Sequence, residues 1–159
     1  MWNIKYFKPD NWYIDWSIPA VKDYKTNKKA RFQNSKYYFK FGIGVPMVTS
    51  SHITAALIEN KLFDQSIVGI FPYDKKYVYY LLAFFNSPTC NTLIRTINPS
   101  ANNPANYLKK IPFIEPKEDE LKSINELVIE ILEELKATGR VNNLKEQKLF
   151  NIIKDIYGI

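Results

Sequence analysis

The apolar residues Leu121, Ile124, Val128, Ile131 and Leu135 step by 3, 4, 3 and 4 along the chain. That spacing draws one continuous apolar seam on an α-helix, and Leu127 and Leu132 widen it, so a helix is expected over 117–137. Glu118, Asp119 and Glu120 fall in its first turn, where the helix dipole favours negative charge, and Gly139 stops it. A second helix is expected over 144–157. Helices of this kind gain most of their stability by packing the apolar face on another element, so the rest of the chain must supply one.

The preceding residues are different in kind. Short apolar runs at 47–49, 53–58 and 66–71 suit strands of a sheet. Over 75–86 the pattern changes, with Tyr77, Leu81, Leu82 and Phe85 marking one buried helical face. Ser87 and Pro88 are a good cap and a good first residue for a second short helix through Ile97. Residues 98–106 hold two prolines and four asparagines, which turn and cap rather than pack, and 111–114 reads as a strand closed by Pro116. In the first third, Trp12, Tyr13 and Trp16 form one aromatic run and residues 36–41 another, bounded by Pro19 and by Gly42 and Gly44. These favour strands. Between them, residues 21–36 are polar and basic without a period, which reads as a loop or hairpin tip. The expected fold is α+β, a twisted and mostly antiparallel sheet with packed helices and a C-terminal helical hairpin or extension. Residues 1–114 would form the sheet-bearing domain and 115–159 the helical segment. A chain of 159 residues can bury about 70% of its unfolded surface in one core.

Charge is distributed unevenly. Residues 1–45 carry nine Lys or Arg against three acids, 46–114 carry six against three, and 115–159 carry seven against ten. The first 114 residues therefore stand at +9, a field suited to a polyanion. Cys90 is the one cysteine, which fits a reducing compartment. The N-terminal residues lack the apolar core of a signal peptide, and the longest apolar run, 77–85, falls short of the roughly 20 residues that span a bilayer. A cytoplasmic protein without a membrane partner is expected.

Several chemistries lack their residues. A cofactor-binding methyl transfer site needs a glycine-rich loop, and the chain has five glycines in all. Asn98-Pro99-Ser100 and Asn103-Pro104-Ala105 lack the second proline and the aromatic that would hold a flipped adenine. Asp74, Glu115 and Lys117 match a nuclease acid pattern weakly, and Pro116 breaks the strand that would carry it. His52 and Cys90 together are too few for a His/Cys zinc site, and His52 has no nucleophile paired with it in a motif. No catalytic residue, metal ligand or cofactor is assigned to this chain.

The segment around 22–40 offers the groups that DNA reading requires. Lys and Arg reach guanine edges, Gln and Asn reach adenine, and further lysines hold phosphates and set the register. The candidate DNA-binding residues are Lys25, Lys28, Lys29, Arg31, Gln33, Asn34, Lys36, Tyr37 and Lys40. Asn102, Asn103 and Asn106 could also touch DNA, but asparagines in irregular loops more often satisfy backbone groups, and a structural role is favoured for them.

The strings KARFQNSKYYFKFGIGVPMV, IENKLFDQSIVGIFP, YVYYLLAFFNS and INPSANNPANYLKKIPFIEP, followed by a long helix and a final IIKDIYGI, occur in that order from about Lys28 onward. Together they resemble the C-terminal specificity domain, or target recognition domain, of Taq-like N6-adenine DNA methyltransferases and of combined restriction-modification enzymes. The order is also similar to one half of a type I specificity subunit. The resemblance implies a non-catalytic domain that reads double-stranded DNA and positions a target adenine for a separate catalytic domain using S-adenosylmethionine. On that reading the chain is a fragment of a larger enzyme or a stand-alone specificity module. A type I subunit would instead use Leu121, Val128 and Leu135 to recruit modification subunits. A general nucleic-acid or protein interaction module is the remaining alternative.

Overall fold

The computed structural model describes residues 4–28, 32–49 and 51–159. They form an α+β fold. Strand β1 (Gly42–Pro46) is central in a three-stranded antiparallel sheet, with β2 (Ala56–Ile58) on one side and β3 (Ile67–Ile70) on the other. The register pairs Ile43 with both Leu57 and Ile70. The strands are short, and Ile43, Val45 and Leu57 are buried.

Helices α2 (Val78–Asn86) and α3 (Pro88–Ile97) follow the sheet where the sequence places helices, but α2 is buried on nearly every side rather than on the expected face: Val78, Tyr80, Ala83 and Phe84 are buried with Leu82 and Phe85, while Tyr77 and Leu81 are half-buried. Ser87 caps α3 by accepting a hydrogen bond from the Cys90 amide at 3.1 Å. Helix α5 (Glu118–Thr138) and helix α6 (Asn143–Tyr157) form the C-terminal hairpin. Gly139 ends α5 with φ 72°, a backbone state that costs glycine little. The Glu120 carboxylate accepts from the Lys117 amide at 2.8 Å and completes the first turn.

The apolar seam of α5 is used inside the chain. Leu121, Ile124, Val128 and Ile131 are buried against the same core as Ile43, Val45, Leu82 and Ile153, and Leu135 packs on its edge. Each such side chain contributes roughly 1.5–3 kcal/mol when fully buried. Leu121 and Val128 are therefore not a surface for recruiting a subunit.

The N-terminal segment is tied to both layers. Tyr6 takes φ 64°, bridges to Ala56 and is fully buried, and its hydroxyl donates to Glu146 of α6 at 3.0 Å. Burial, then the neighbouring Glu146 carboxylate, push its phenol far above the ordinary range. Lys5 pairs with the same carboxylate at 3.0 Å.

Five local expectations are corrected. Residues 12–16 are not a strand; Trp16 instead gathers Tyr24, Phe32, Tyr38 and Phe39 within 5.3–6.3 Å, and meets both Tyr38 and Phe39, neighbours that a strand over 36–41 would send to opposite faces. Residues 36–41 begin in a 3-10 turn, Ser35–Tyr37, flanked by left-handed residues Asn34 (φ 57°) and Phe39 (φ 61°), so extended pairing starts only at Gly42. The loop expected at 21–36 opens as helix α1 (Ile18–Thr26), which buries no residue fully and half-buries only Ala20, Val21 and Tyr24, too short an apolar strip to mark a helix in the sequence. Residues 111–114 make no ladder. Their carbonyls are taken by hydroxyls from the helices, Tyr80 to Ile114 at 2.7 Å and Tyr157 to Pro112 at 2.9 Å.

Residues 47–49 form no named strand either. Val48 makes a single antiparallel bridge to Asn102, with the Asn103 amide donating to the Met47 carbonyl at 2.6 Å and the Thr49 amide to Ala101 at 3.0 Å. The asparagines serve this join. Asn98 donates to the Asn102 carbonyl at 2.7 Å, and buried Asn103 donates to Thr49 Oγ1 at 3.2 Å and to Ala101 at 3.1 Å. Asn102 and Asn106 have exposed side chains. The short helix α4 (Ala105–Leu108) closes the loop.

Among the described residues, no helix is long and apolar enough to cross a membrane.

Candidate nucleic-acid interface

Residues 37–39 lie against the end of β3 and the β2–β3 connection, and aromatic contacts hold them there. Tyr37 stacks on Phe71, with centroids 5.2 Å apart and planes 14° from parallel, and Tyr38 meets Phe63 edge to face at 5.7 Å. The Phe39 amide donates to the Lys61 carbonyl at 3.1 Å. The left-handed turn at Asn34 is closed by the Tyr38 hydroxyl, which donates to the Gln33 carbonyl at 2.8 Å.

Glycines let the sheet accept these rings. A Cβ on Gly42 would lie 2.5 Å from both the Ile70 carbonyl and the Phe71 ring, and one on Gly69 would lie 2.7 Å from Phe71 and 3.2 Å from Phe63. Both distances are shorter than packed carbon contacts, so Phe71 occupies its position only because these strand residues lack side chains.

The result is a cleft of about 810 Å³ between the Ser35–Tyr37 turn, the β2–β3 connection, β3 and α4. Gln33, Asn34, Lys36 and Tyr37 line it, as do Gln65 and Lys109, while Phe63, Val68 and Phe71 supply apolar walls. Gln33, Asn34, Lys36, Gln65 and Lys109 are exposed. The cleft therefore presents three amides, each a donor and an acceptor, beside two ammonium groups.

The nine sequence candidates divide in three. Gln33, Asn34, Lys36 and Tyr37 come together in the cleft. Tyr37 is a wall more than a contact, because its ring is half-buried against Phe71. Lys25, Lys28 and Lys40 do not line it. The Lys40 ammonium lies 5.4 Å and that of Lys36 5.1 Å from the Tyr37 ring centroid, so Lys40 borders the cleft. Lys25 sits at the end of α1 with its ammonium 5.6 Å from the Phe32 ring, and Lys28 is an exposed turn residue just beyond. Lys29 and Arg31 lie outside the described residues. Gln65 and Lys109 are cleft residues that sequence reasoning missed. Gln65 and Lys109 fall within the strings IENKLFDQSIVGIFP and INPSANNPANYLKKIPFIEP, but nothing in those strings marked either residue as a contact.

Residues considered for other chemistry have structural partners. Asp74 accepts from the Lys76 amide at 3.0 Å and caps the 3-10 turn Lys75–Tyr77, and Glu115 accepts from the Tyr77 hydroxyl. Burial raises the Cys90 thiol far above its ordinary range, which holds it as an inert thiol. His52 is exposed. Arg95 donates to Thr49 Oγ1 at 3.3 Å, to the Ser51 carbonyl at 3.4 Å and to the Ser100 carbonyl, which joins the Asn-rich loop to the residues after β1. Among the described residues, no group of three or more His, Cys, Asp or Glu side chains is placed to hold a metal ion.

The chain matches no model of a known protein family and no curated protein.

Proposed function

We propose that this chain is a non-catalytic DNA-recognition domain that reads a short sequence in double-stranded DNA. The observation that carries the reading is the cleft, where Gln33, Asn34 and Gln65 lie beside Lys36 and Lys109 on an aromatic floor. Amides pair with adenine edges, lysines with guanine edges or phosphates, and the two together are what sequence readout from the major groove requires. The +9 charge of residues 1–114 supports the same partner by drawing a polyanion toward this part of the chain. Lys25 and Lys28 on and after α1, and Lys40 beside the cleft, would take phosphates and set the register.

The narrower assignment rests on the ordered strings described above. On it, the domain belongs to an adenine-specific restriction-modification system in the cytoplasm, and a separate catalytic domain or modification subunit supplies S-adenosylmethionine and the methyl transfer. The chain alone binds without turnover. Between the two settings named earlier, burial of Leu121 and Val128 favours a methyltransferase specificity domain over a type I subunit recruiting partners through that seam.

The test is selection of bound fragments from a randomised duplex pool at about 150 mM salt, near physiological screening. An enriched short motif is the expected outcome. Binding that enriches nothing and vanishes as salt rises would reduce the cleft to a basic surface and overturn the reading, as would a preference for single-stranded RNA.

A further inference from the structure

A second recess of about 640 Å³ adjoins the cleft, and the two share Tyr38, Phe63 and Asp64 as walls. Its wall is a fixed lattice of rings. Trp16 stacks near Phe32 at 6.0 Å with planes 17° apart and meets Tyr38 and Phe39 edge-on at 6.0 and 5.3 Å. Trp12 and Tyr13 line the same recess yet are 90% and 91% exposed. Large rings left in water beside a preformed aromatic wall are a costly arrangement that ordinary packing does not explain.

The chemistry of the recess selects its occupant. Aromatic walls accept either a cation or a planar ring. Of the two carboxylates on its wall, Asp10 is neutralised by Lys61 at 2.7 Å, whereas Asp64 keeps its charge while accepting from the Ser66 amide at 2.9 Å. Lys25 adds positive charge to the wall through Phe32. With Lys25 offsetting Asp64, the recess carries no net charge to hold a cation, and its aromatic wall suits a neutral planar ring, with the basic cleft next to it left for the attached phosphate chain. Asn60, at the rim in a left-handed turn (φ 52°), offers a donor and an acceptor for the edge of such a ring.

We propose that this recess receives one unpaired nucleobase of the DNA seated in the adjacent cleft, stacking it on the wall around Trp16 with Trp12 closing over it. The inference rests on the duplex-reading proposal and goes beyond it, since reading base edges in a groove requires no unpaired base. Energy from stacking would offset the loss of pairing, and a base already unpaired would be preferred.

The experiment compares two short duplexes that both contain the motif enriched in the selection, carrying 2-aminopurine either as a single-base bulge beside it or paired with thymine, titrated with the whole chain. The bulged probe is expected to bind about tenfold tighter, with its emission quenched by stacking. Trp12→Ala should bring the ratio of the two affinities close to one. Because Trp12 buries almost nothing, that variant keeps the fold, and Trp16→Leu serves as the second test of the wall. Equal affinities without quenching would overturn this inference and leave the duplex-reading proposal standing. An unchanged ratio in Trp12→Ala would also overturn it. Failure to bind either duplex would overturn both.

Discussion

Tyr37 lies flat on Phe71, its ring centroid 5.2 Å away, and this stack joins the basic N-terminal segment to the sheet. Phe71 is available because Gly69 has no side chain: a Cβ there would stand 2.7 Å from the Phe71 ring. Gly69→Ala should therefore displace Phe71 and loosen Tyr37, at a cost of about 1–3 kcal/mol from overpacking. Urea unfolding measures that cost. In the DNA-binding assay the same variant should lose sequence preference more than total affinity, because the amides move while the charges stay. Wild-type preference in Gly69→Ala would separate the cleft from recognition.

Within the cleft the amides and the lysines should fail differently. Gln33→Ala removes a group able to pair with a base edge, so it should relax specificity at one base pair by about 1–3 kcal/mol. Lys36→Gln should instead weaken binding to every sequence and lower the slope of log affinity against log salt by about one. The two variants are compared by titrating the selected site and single-base substitutions of it at several salt concentrations. Equal loss on all sequences for Gln33→Ala would remove it from base readout, and an unchanged slope would remove Lys36 from phosphate contact.

Asn86 should matter for stability more than any surface residue. Its side chain is buried, accepts from the Ala55 amide at 3.0 Å, and donates to the Ala55 and Leu82 carbonyls at 2.9 and 2.8 Å. It thus supplies to the backbone before β2 the partners that another strand would give. Asn86→Ala strands a buried N–H, which costs about 1–3 kcal/mol beyond the bonds themselves. A urea midpoint within error of wild type would show that water replaces the amide.

The parts legible in the sequence were those whose signals are local. The step pattern of Leu121 to Leu135 placed α5, Gly139 ended it and Ser87 with Pro88 started α3, each through contacts within a turn or two of the residue concerned. Misread parts depend on distant partners. Residues 111–114 looked like a strand because of their apolar composition, and became an unpaired segment because Tyr80 and Tyr157 reach their carbonyls from α2 and α6. The site divided the same way. Gln33, Asn34 and Lys36 are close in sequence and were found together, whereas Gln65 and Lys109 join them only because β3 pairs beside β1 and α4 folds back to the cleft.

Alkaline pH should expose the cost of burying phenols next to acids. Tyr6 and Tyr80 are both pushed up chiefly by burial, Tyr6 further by Glu146 and Tyr80 by Tyr157. In the unfolded chain each would release its proton near the ordinary phenol pKa of about 10. The folded state therefore holds protons that the unfolded state gives up, and stability must fall as pH rises through that value. Their contribution is fully present below about pH 9 and declines above it, with Cys90 adding to the decline because its thiol is raised by burial in the same sense. The measurement is the urea midpoint followed from neutral pH into the alkaline range, compared with Tyr6→Phe. That variant should begin less stable by about 1 kcal/mol, having lost the hydrogen bond to Glu146, and should then show a shallower decline. Parallel declines in the two proteins would mean that Tyr6 ionises freely in the folded state, and its burial beneath α6 would have to be reconsidered.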